Sequence, residues 1–215
     1  ITLYRKYPVF SNWSNQWGNM IGGRFEGANS PDFSDAVLLN SIRTMPFGGN
    51  ILQINNSNSF RYLRYKTPIT SRTSLAELTF YTQTPIGIRK IIGIPIGYKV
   101  PNEELHFAFD GDRETVANTK STKYWIGLDL GENKEQSVYI IKFTPKSDTN
   151  SMEPGHLYEL YYFDKKWHSL GRQVCTDDFL IYEHVPKNTI LLLKDRTKGK
   201  EERIFYHDAG LQIWY

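Results

Sequence analysis

Leu157-Tyr-Glu-Leu-Tyr-Tyr-Phe-Asp-Lys-Lys-Trp-His-Ser-Leu-Gly171 reads as an aromatic-rich strand, a charged Asp-Lys-Lys turn and a second strand opened by Trp167. Aromatic side chains suit a pleated, half-buried surface, so the hairpin predicts an antiparallel sheet. Working outward, similar short strands are predicted at 2–7, 50–55, 60–65, 75–81, 125–130, 137–143, 179–183, 189–193 and 212–215. Gly, Pro, Asn and Ser punctuate them, and few stretches hold apolar spacing of three and four. The expected class is all-β, a sandwich of short strands. Trp125, Trp167 and Trp214 fall among strand residues and read as core.

Composition narrows the function classes. The chain has 215 residues, 40% hydrophobic and 14% aromatic, too apolar for disorder. Its net charge of +3 comes from 26 basic and 23 acidic residues with the signs interspersed, which excludes a nucleic-acid footprint. The basic run Lys194–Arg203 is diluted by Asp195, Glu201 and Glu202 and reads as a solvated loop. Cys175 is alone, so neither an internal disulfide nor a cysteine metal cluster forms. No apolar run reaches the roughly 18 residues of a membrane helix, so no direct membrane insertion is expected. Ile1 opens directly into a strand pattern, which suggests a removed upstream segment.

Two segments of the chain echo each other. Met20-Ile-Gly-Gly-Arg-Phe-Glu-Gly27 resembles Met152-Glu-Pro-Gly-His-Leu-Tyr-Glu159, Phe60–Pro68 parallels Thr189–Thr197, and Ala76–Tyr81 matches Leu211–Tyr215. A repeat of that length predicts two related units. The expected boundaries are a partial or small sandwich at 1–82, a linker at 83–87 and a complete sandwich at 88–215. The first unit would lack its N-terminal strands.

Ala108-Phe-Asp-Gly-Asp-Arg-Glu-Thr115 is the sharpest local motif. Asp110, Asp112 and the Thr115 hydroxyl offer clustered oxygens of the kind calcium takes, and a Gly permits the turn. The same residues also describe an Asp-Gly turn that caps its own amides. Phe10-Ser-Asn-Trp-Ser-Asn-Gln-Trp-Gly-Asn19 places Trp13 and Trp17 among amides, either as a sugar-stacking platform with Asn15 and Asn19 or as cover for a sandwich edge. No paired-histidine metal motif, nucleophile elbow or phosphate loop is present, and Cys175 reads as structural, so no enzyme is expected.

Ala-Phe-Asp-Gly-Asp-x-x-Thr at 108–115, Trp-Ile-Gly-Leu-Asp-Leu-Gly at 125–131 and Ile-Ile-Lys-Phe-Thr-Pro-Lys-x-Asp at 140–148 together resemble the discoidin, or coagulation-factor type C, family. The likeness runs on through Tyr158–Tyr162, Trp167–Gly171 and Val185-Pro. It implies a galactose-binding-like jelly roll, shared with bacterial carbohydrate-binding modules. Residues 1–82 look like the later half of another copy. The closest likeness is to tandem C-terminal modules of secreted multidomain proteins of polysaccharide-using bacteria, some with a transglutaminase-like domain upstream. The resemblance implies a calcium site from Asp110, Asp112, Thr115 and a last-strand position, Gln212 here, where Glu77 holds the corresponding place in the first unit. It implies sugar contacts at Lys146, Asp148 and Asn150, with Lys146 standing where relatives carry Arg. The function it implies is a non-catalytic, extracellular, cell-surface or periplasmic module that binds a glycan. The rival is a structural or protein-interaction module supporting an upstream domain.

Overall fold

The computed structural model describes residues 1–8, 13–68, 74–118, 121–199 and 202–215, with the backbone alone for 13–15. In chain order the elements are β1 (Thr2–Leu3), α1 (Trp13–Gly18), β2 (Arg24–Ala28), β3 (Val37–Ser41), β4 (Asn50–Gln53), β5 (Ser59–Phe60), β6 (Tyr62–Lys66), β7 (Leu75–Thr84), β8 (Gly87–Lys90) and β9 (Ile94–Tyr98). A 3₁₀ helix, Asn102–Ala108, precedes β10 (Trp125–Asp129), β11 (Gln136–Ser137), β12 (Ile140–Pro145), β13 (Leu157–Asp164), β14 (Lys166–Val174), β15 (Leu180–Ile181), β16 (Leu191–Asp195), β17 (Ile204–Asp208) and β18 (Leu211–Trp214). The chain is all-β and sandwich-like in character, with its strands in antiparallel sheets.

Two compact units emerge, and they do not follow the division expected from sequence. One is Ser11–Ser147; the other joins Ile1–Phe10 to Asp148–Tyr215. The expected linker 83–87 is the tip of a hairpin, with Thr82 opposite Arg89 and Thr84 opposite Gly87. Strands from either side of it pair directly: β7 with β12, and β6 with β10. The physical reason is that β7 and β10 each need a hydrogen-bonded partner on both sides, and the partners come from across the supposed boundary.

In the larger unit a five-stranded sheet, β3-β2-β6-β10-β9, and a four-stranded sheet, β4-β12-β7-β8, contribute to one core. Phe25, Leu63, Tyr65, Ile126 and Leu128 come from the first sheet, and Leu78, Phe80, Ile141 and Phe143 from the second. The outer side of the five-stranded sheet is also covered. Phe33 packs on Trp125 at 5.2 Å, and the Arg64 guanidinium lies 3.9 Å over the Phe33 ring while donating to Glu26 at 2.6 Å. In the smaller unit the sheet runs β14-β13-β16-β17-β18, beside the short pair β1-β15. One face of the sheet presents Tyr158, Leu160, Leu191, Leu193 and Phe205 to a core shared with Leu3, Met152, Leu180 and Tyr182.

Candidate functional site

The Asp-Gly-Asp loop follows the 3₁₀ helix and is shaped by its own side chains. Asp110 Oδ1 accepts the Asp112 amide at 2.9 Å, and Asp112 Oδ1 accepts the Glu114 amide at 2.9 Å. Gly111 has φ of +87°, a left-handed position suited to glycine. The Thr115 hydroxyl lies 2.9 Å from Asp110 Oδ2. The side chains cap the turn's own amides, and of the expected oxygen set Asp110 and Thr115 lie in direct contact.

The loop's acidic strand partner is Glu77 of β7. Its Oε1 accepts the Gly111 amide at 2.9 Å. Gln212, expected to complete this set, stands in the smaller unit instead, where its Oε1 accepts the Tyr4 amide at 3.0 Å and its Nε2 donates to Arg5 O at 3.0 Å. The correction follows from the strand pairing. The loop and Glu77, which sequence had assigned to different units, share one. Asp110, Thr115 and Glu77 with nearby backbone carbonyls suit a hard cation in kind, with two converging carboxylates rather than three. Asp112 turns to its own loop, and no group of three or more His, Cys, Asp or Glu among the described residues is placed to hold a metal ion.

Burial, reinforced by a hydrogen bond and charge from Asp110, pushes the Glu77 carboxyl up to about 8, although the Gly111 amide works against the shift. In the unfolded chain it ionises near 4.5. Between those values the folded state holds the extra proton, so this group's contribution to stability declines as pH rises through the window. Below the window both states are protonated and the contribution is complete. Glu77→Gln is expected to remove that slope, read as urea midpoints on either side of the window. An unchanged slope would show that the carboxyl ionises normally.

The second set of candidates lies around α1 and the end of β12. Trp17 is 3% exposed, packs edge-on against Phe47 at 5.1 Å and donates its indole N–H to Lys146 O at 2.9 Å. A stacking platform at Trp17 is therefore corrected: the ring is interior because its apolar area packs and its N–H is satisfied. The Trp13 side chain lies outside the described residues. Asn19 is exposed just past the helix. Lys146 is half-buried; its Nζ donates to Asn118 Oδ1 at 3.1 Å and its amide to Ser74 O at 2.9 Å. The Trp17 bond thus joins α1 to Lys146, a contact between segments far apart in sequence. Asn118 was missed because its place beside Lys146 has no local sequence signal.

Asp148 and Asn150 belong to the smaller unit and are occupied there. The Asp148 carboxylate pairs with Arg5 and its Oδ1 accepts the Asn150 amide at 3.2 Å. Asn150 is buried, and its carbonyl accepts the Lys6 amide at 2.8 Å. Both hold the N-terminal segment in place, which corrects their reading as open sugar contacts. Cys175 is buried, with Sγ 2.9 Å from Asp177 O; burial pushes the thiol up to about 11, so it stays protonated near neutrality. Among the described residues no helix is long and apolar enough to cross a membrane. No protein-family model matches this chain, and no curated protein or solved structure does.

Proposed function

We propose that this chain is a non-catalytic carbohydrate-binding accessory module of a larger secreted protein, built on a discoidin-like jelly roll. The observation that carries the reading is the Trp17–Lys146 hydrogen bond, which with the Lys146–Asn118 bond brings α1, Lys146 and Asn118 together from three separate segments of the larger unit. Polar side chains held in loops on a rigid scaffold suit shallow recognition of hydroxyl groups. Titration of the whole chain against a glycan panel is expected to find at least one ligand. Lys146→Ala should weaken it by roughly tenfold, the loss of about 1.4 kcal/mol. Absence of binding to every glycan at millimolar concentration sinks the reading.

Calcium is the cation proposed for Asp110, Thr115 and Glu77. It would displace the proton that Glu77 holds, supply positive charge between the two carboxyl groups and fix the loop. After chelation, calcium should raise the melting temperature of the wild type and leave Asp110→Asn unmoved. An unmoved wild type removes the cation from the proposal.

One observation favours the alternative, a structural or protein-interaction module beside an upstream domain such as a transglutaminase-like one. Ile86, Ile88, Ile92 and Ile94 are all exposed, in or beside β8 and β9, which are edge strands of the two sheets. Exposed apolar side chains along unpaired edges are docking surfaces. Failure of the glycan panel would leave this reading in place.

A further inference from the structure

The sheet of the smaller unit has a second face that no reading above uses. Its membership follows from the register, because residues directly opposite on neighbouring strands point to the same side. Phe163 stands opposite Trp167, Tyr161 opposite Ser169 and Leu192, and Glu159 opposite Arg172 and Lys194. Leu192 stands opposite Ile204, and Tyr206 opposite Ile213. These are the positions that alternate with the core-facing Tyr158, Leu160, Leu191, Leu193 and Phe205.

Two kinds of chemistry share this face. Toward the β13–β14 turn, Phe163 and Trp167 are 43% and 39% exposed, with ring centroids 5.3 Å apart and edge to face. The expectation that Trp167 is core is thereby corrected: it lies on the open side of the sheet. Farther along the same strands, the Glu159 carboxylate is buried beneath two arginines. Arg172 Nε donates to Oε2 at 3.0 Å and Arg196 Nε at 2.8 Å, while the Ser169 hydroxyl donates to Oε1 at 2.8 Å. Arg196 Nη2 also donates to the Tyr161 hydroxyl at 2.8 Å. Although burial opposes it, the Tyr161 hydroxyl, Ser169 and the two arginines hold the carboxyl down at about 2, so it is an anion at neutral pH.

The charge presented to solvent is then cationic. The Arg172 and Arg196 side chains are 58% and 38% exposed, each oriented through Nε, and the terminal amino groups of Arg172 have no partner among the described residues. A guanidinium fixed in that way is preorganised for two-point contact with a carboxylate or sulfate. Trp167 and Arg172 are five residues apart on one strand, roughly 15 Å at strand rise, a span that an extended chain of sugars covers. Aromatic rings stack on the apolar faces of sugar rings, and the arginines supply charge complementarity.

We infer that this open sheet face binds an acidic glycan chain, with sugar rings on Phe163 and Trp167 and carboxylate or sulfate groups on Arg172 and Arg196. The inference rests on the carbohydrate-binding reading and names a second site with its own ligand class. It is tested on the whole 215-residue chain with an oligogalacturonide and its fully methyl-esterified, neutral counterpart, following the tryptophan indole N–H signals and the affinity. The Trp167 signal, assigned with Trp167→Phe, should shift on addition of the acidic oligomer. Trp167→Ala and Arg172→Gln should each weaken binding about tenfold or more, and added salt should weaken it further.

Several results would overturn the inference. Equal affinity for the neutral oligomer removes the acidic class. Glycan binding that survives both variants but is lost in Lys146→Ala keeps the carbohydrate reading and removes this site. Absence of binding to any glycan removes both. Concentration-dependent dimerisation abolished by Trp167→Ala gives the face to a second copy of the chain instead.

Discussion

Gly127→Ala is expected to destabilise the larger unit by about 3–5 kcal/mol, at or beyond the upper end of what an overpacked site costs. Gly127 lies in the middle of β10, a strand with neighbours on both sides, opposite Arg64 of β6 and Ile96 of β9. A Cβ there would stand 1.9 Å from the Leu63 carbonyl oxygen and 2.8 Å from Arg64 Cα, both backbone atoms. No rotamer change relieves such a contact, so β10 and β6 must separate. Arg64 is poorly able to give way. Its guanidinium is tied to Glu26 at 2.6 and 2.9 Å and covered by the Phe33 ring. Separation therefore disturbs a buried ion pair as well as the ladder.

The comparison that isolates this cause is Gly18→Ala. A Cβ on Gly18 meets nothing within 4 Å, and the change is expected to stay within about 0.5 kcal/mol of the wild type. Urea unfolding of both variants measures the contrast. Equal, small effects would mean that the two strands slide apart without cost, and that the glycine has some other explanation.

The same strands show what sequence reveals and what it hides. β7, β10, β12, β13 and β16 were legible because their aromatic and aliphatic residues alternate or run together between turn residues. β2 was not. Arg-Phe-Glu-Gly-Ala is buried from Phe25 through Ala28, so its faces do not alternate, and its one acid is neutralised across the sheet by Arg64. The domain boundary failed for a related reason. Thr2 pairs with Ile181, and such distant pairing leaves no local mark in either segment. At the candidate site the Asp-Gly-Asp turn was legible as chemistry, because its spacing is local. Its partnership with Glu77 was not, since it depends on β7 and the loop meeting in the folded unit. The choice between platform and cover at Trp17 was not legible, because a tryptophan among amides looks exposed until a carbonyl, here that of Lys146, is found for its indole.

Asp195→Asn should destabilise the smaller unit by about 3–5 kcal/mol, the usual consequence of leaving a buried charge without its partner. The Lys6 and Asp195 side chains are each 1% exposed, with Nζ 3.2 Å from Oδ2. Asp195 is well provided for, since Oδ2 also meets His156 Nδ1 at 3.0 Å and Oδ1 accepts the Thr197 and Lys198 amides at 2.9 and 3.2 Å. Lys6 has no comparable reserve: Asp195 is the anion paired with its ammonium group among the described residues. Lys6→Met is therefore expected to cost less than Asp195→Asn, because the carboxylate it leaves behind keeps three donors.

The double variant should cost less than the sum of the two single changes, by at least about 1 kcal/mol for groups in direct contact. Acid gives an independent reading of the same pair. Burial opposes ionisation of Asp195, but His156, the two amides and Lys6 together hold its carboxyl below the ordinary 3.8. A depressed carboxyl contributes stability above its unfolded value and loses it as pH falls through the folded one, so Asp195→Asn should flatten that part of the acid limb. Simple additivity, with an unchanged acid limb, would show that Lys6 and Asp195 do not depend on each other. The N-terminal segment would then be held to the smaller unit by Arg5–Asp148 and the backbone bonds of β1, and the buried pair would contribute nothing of its own.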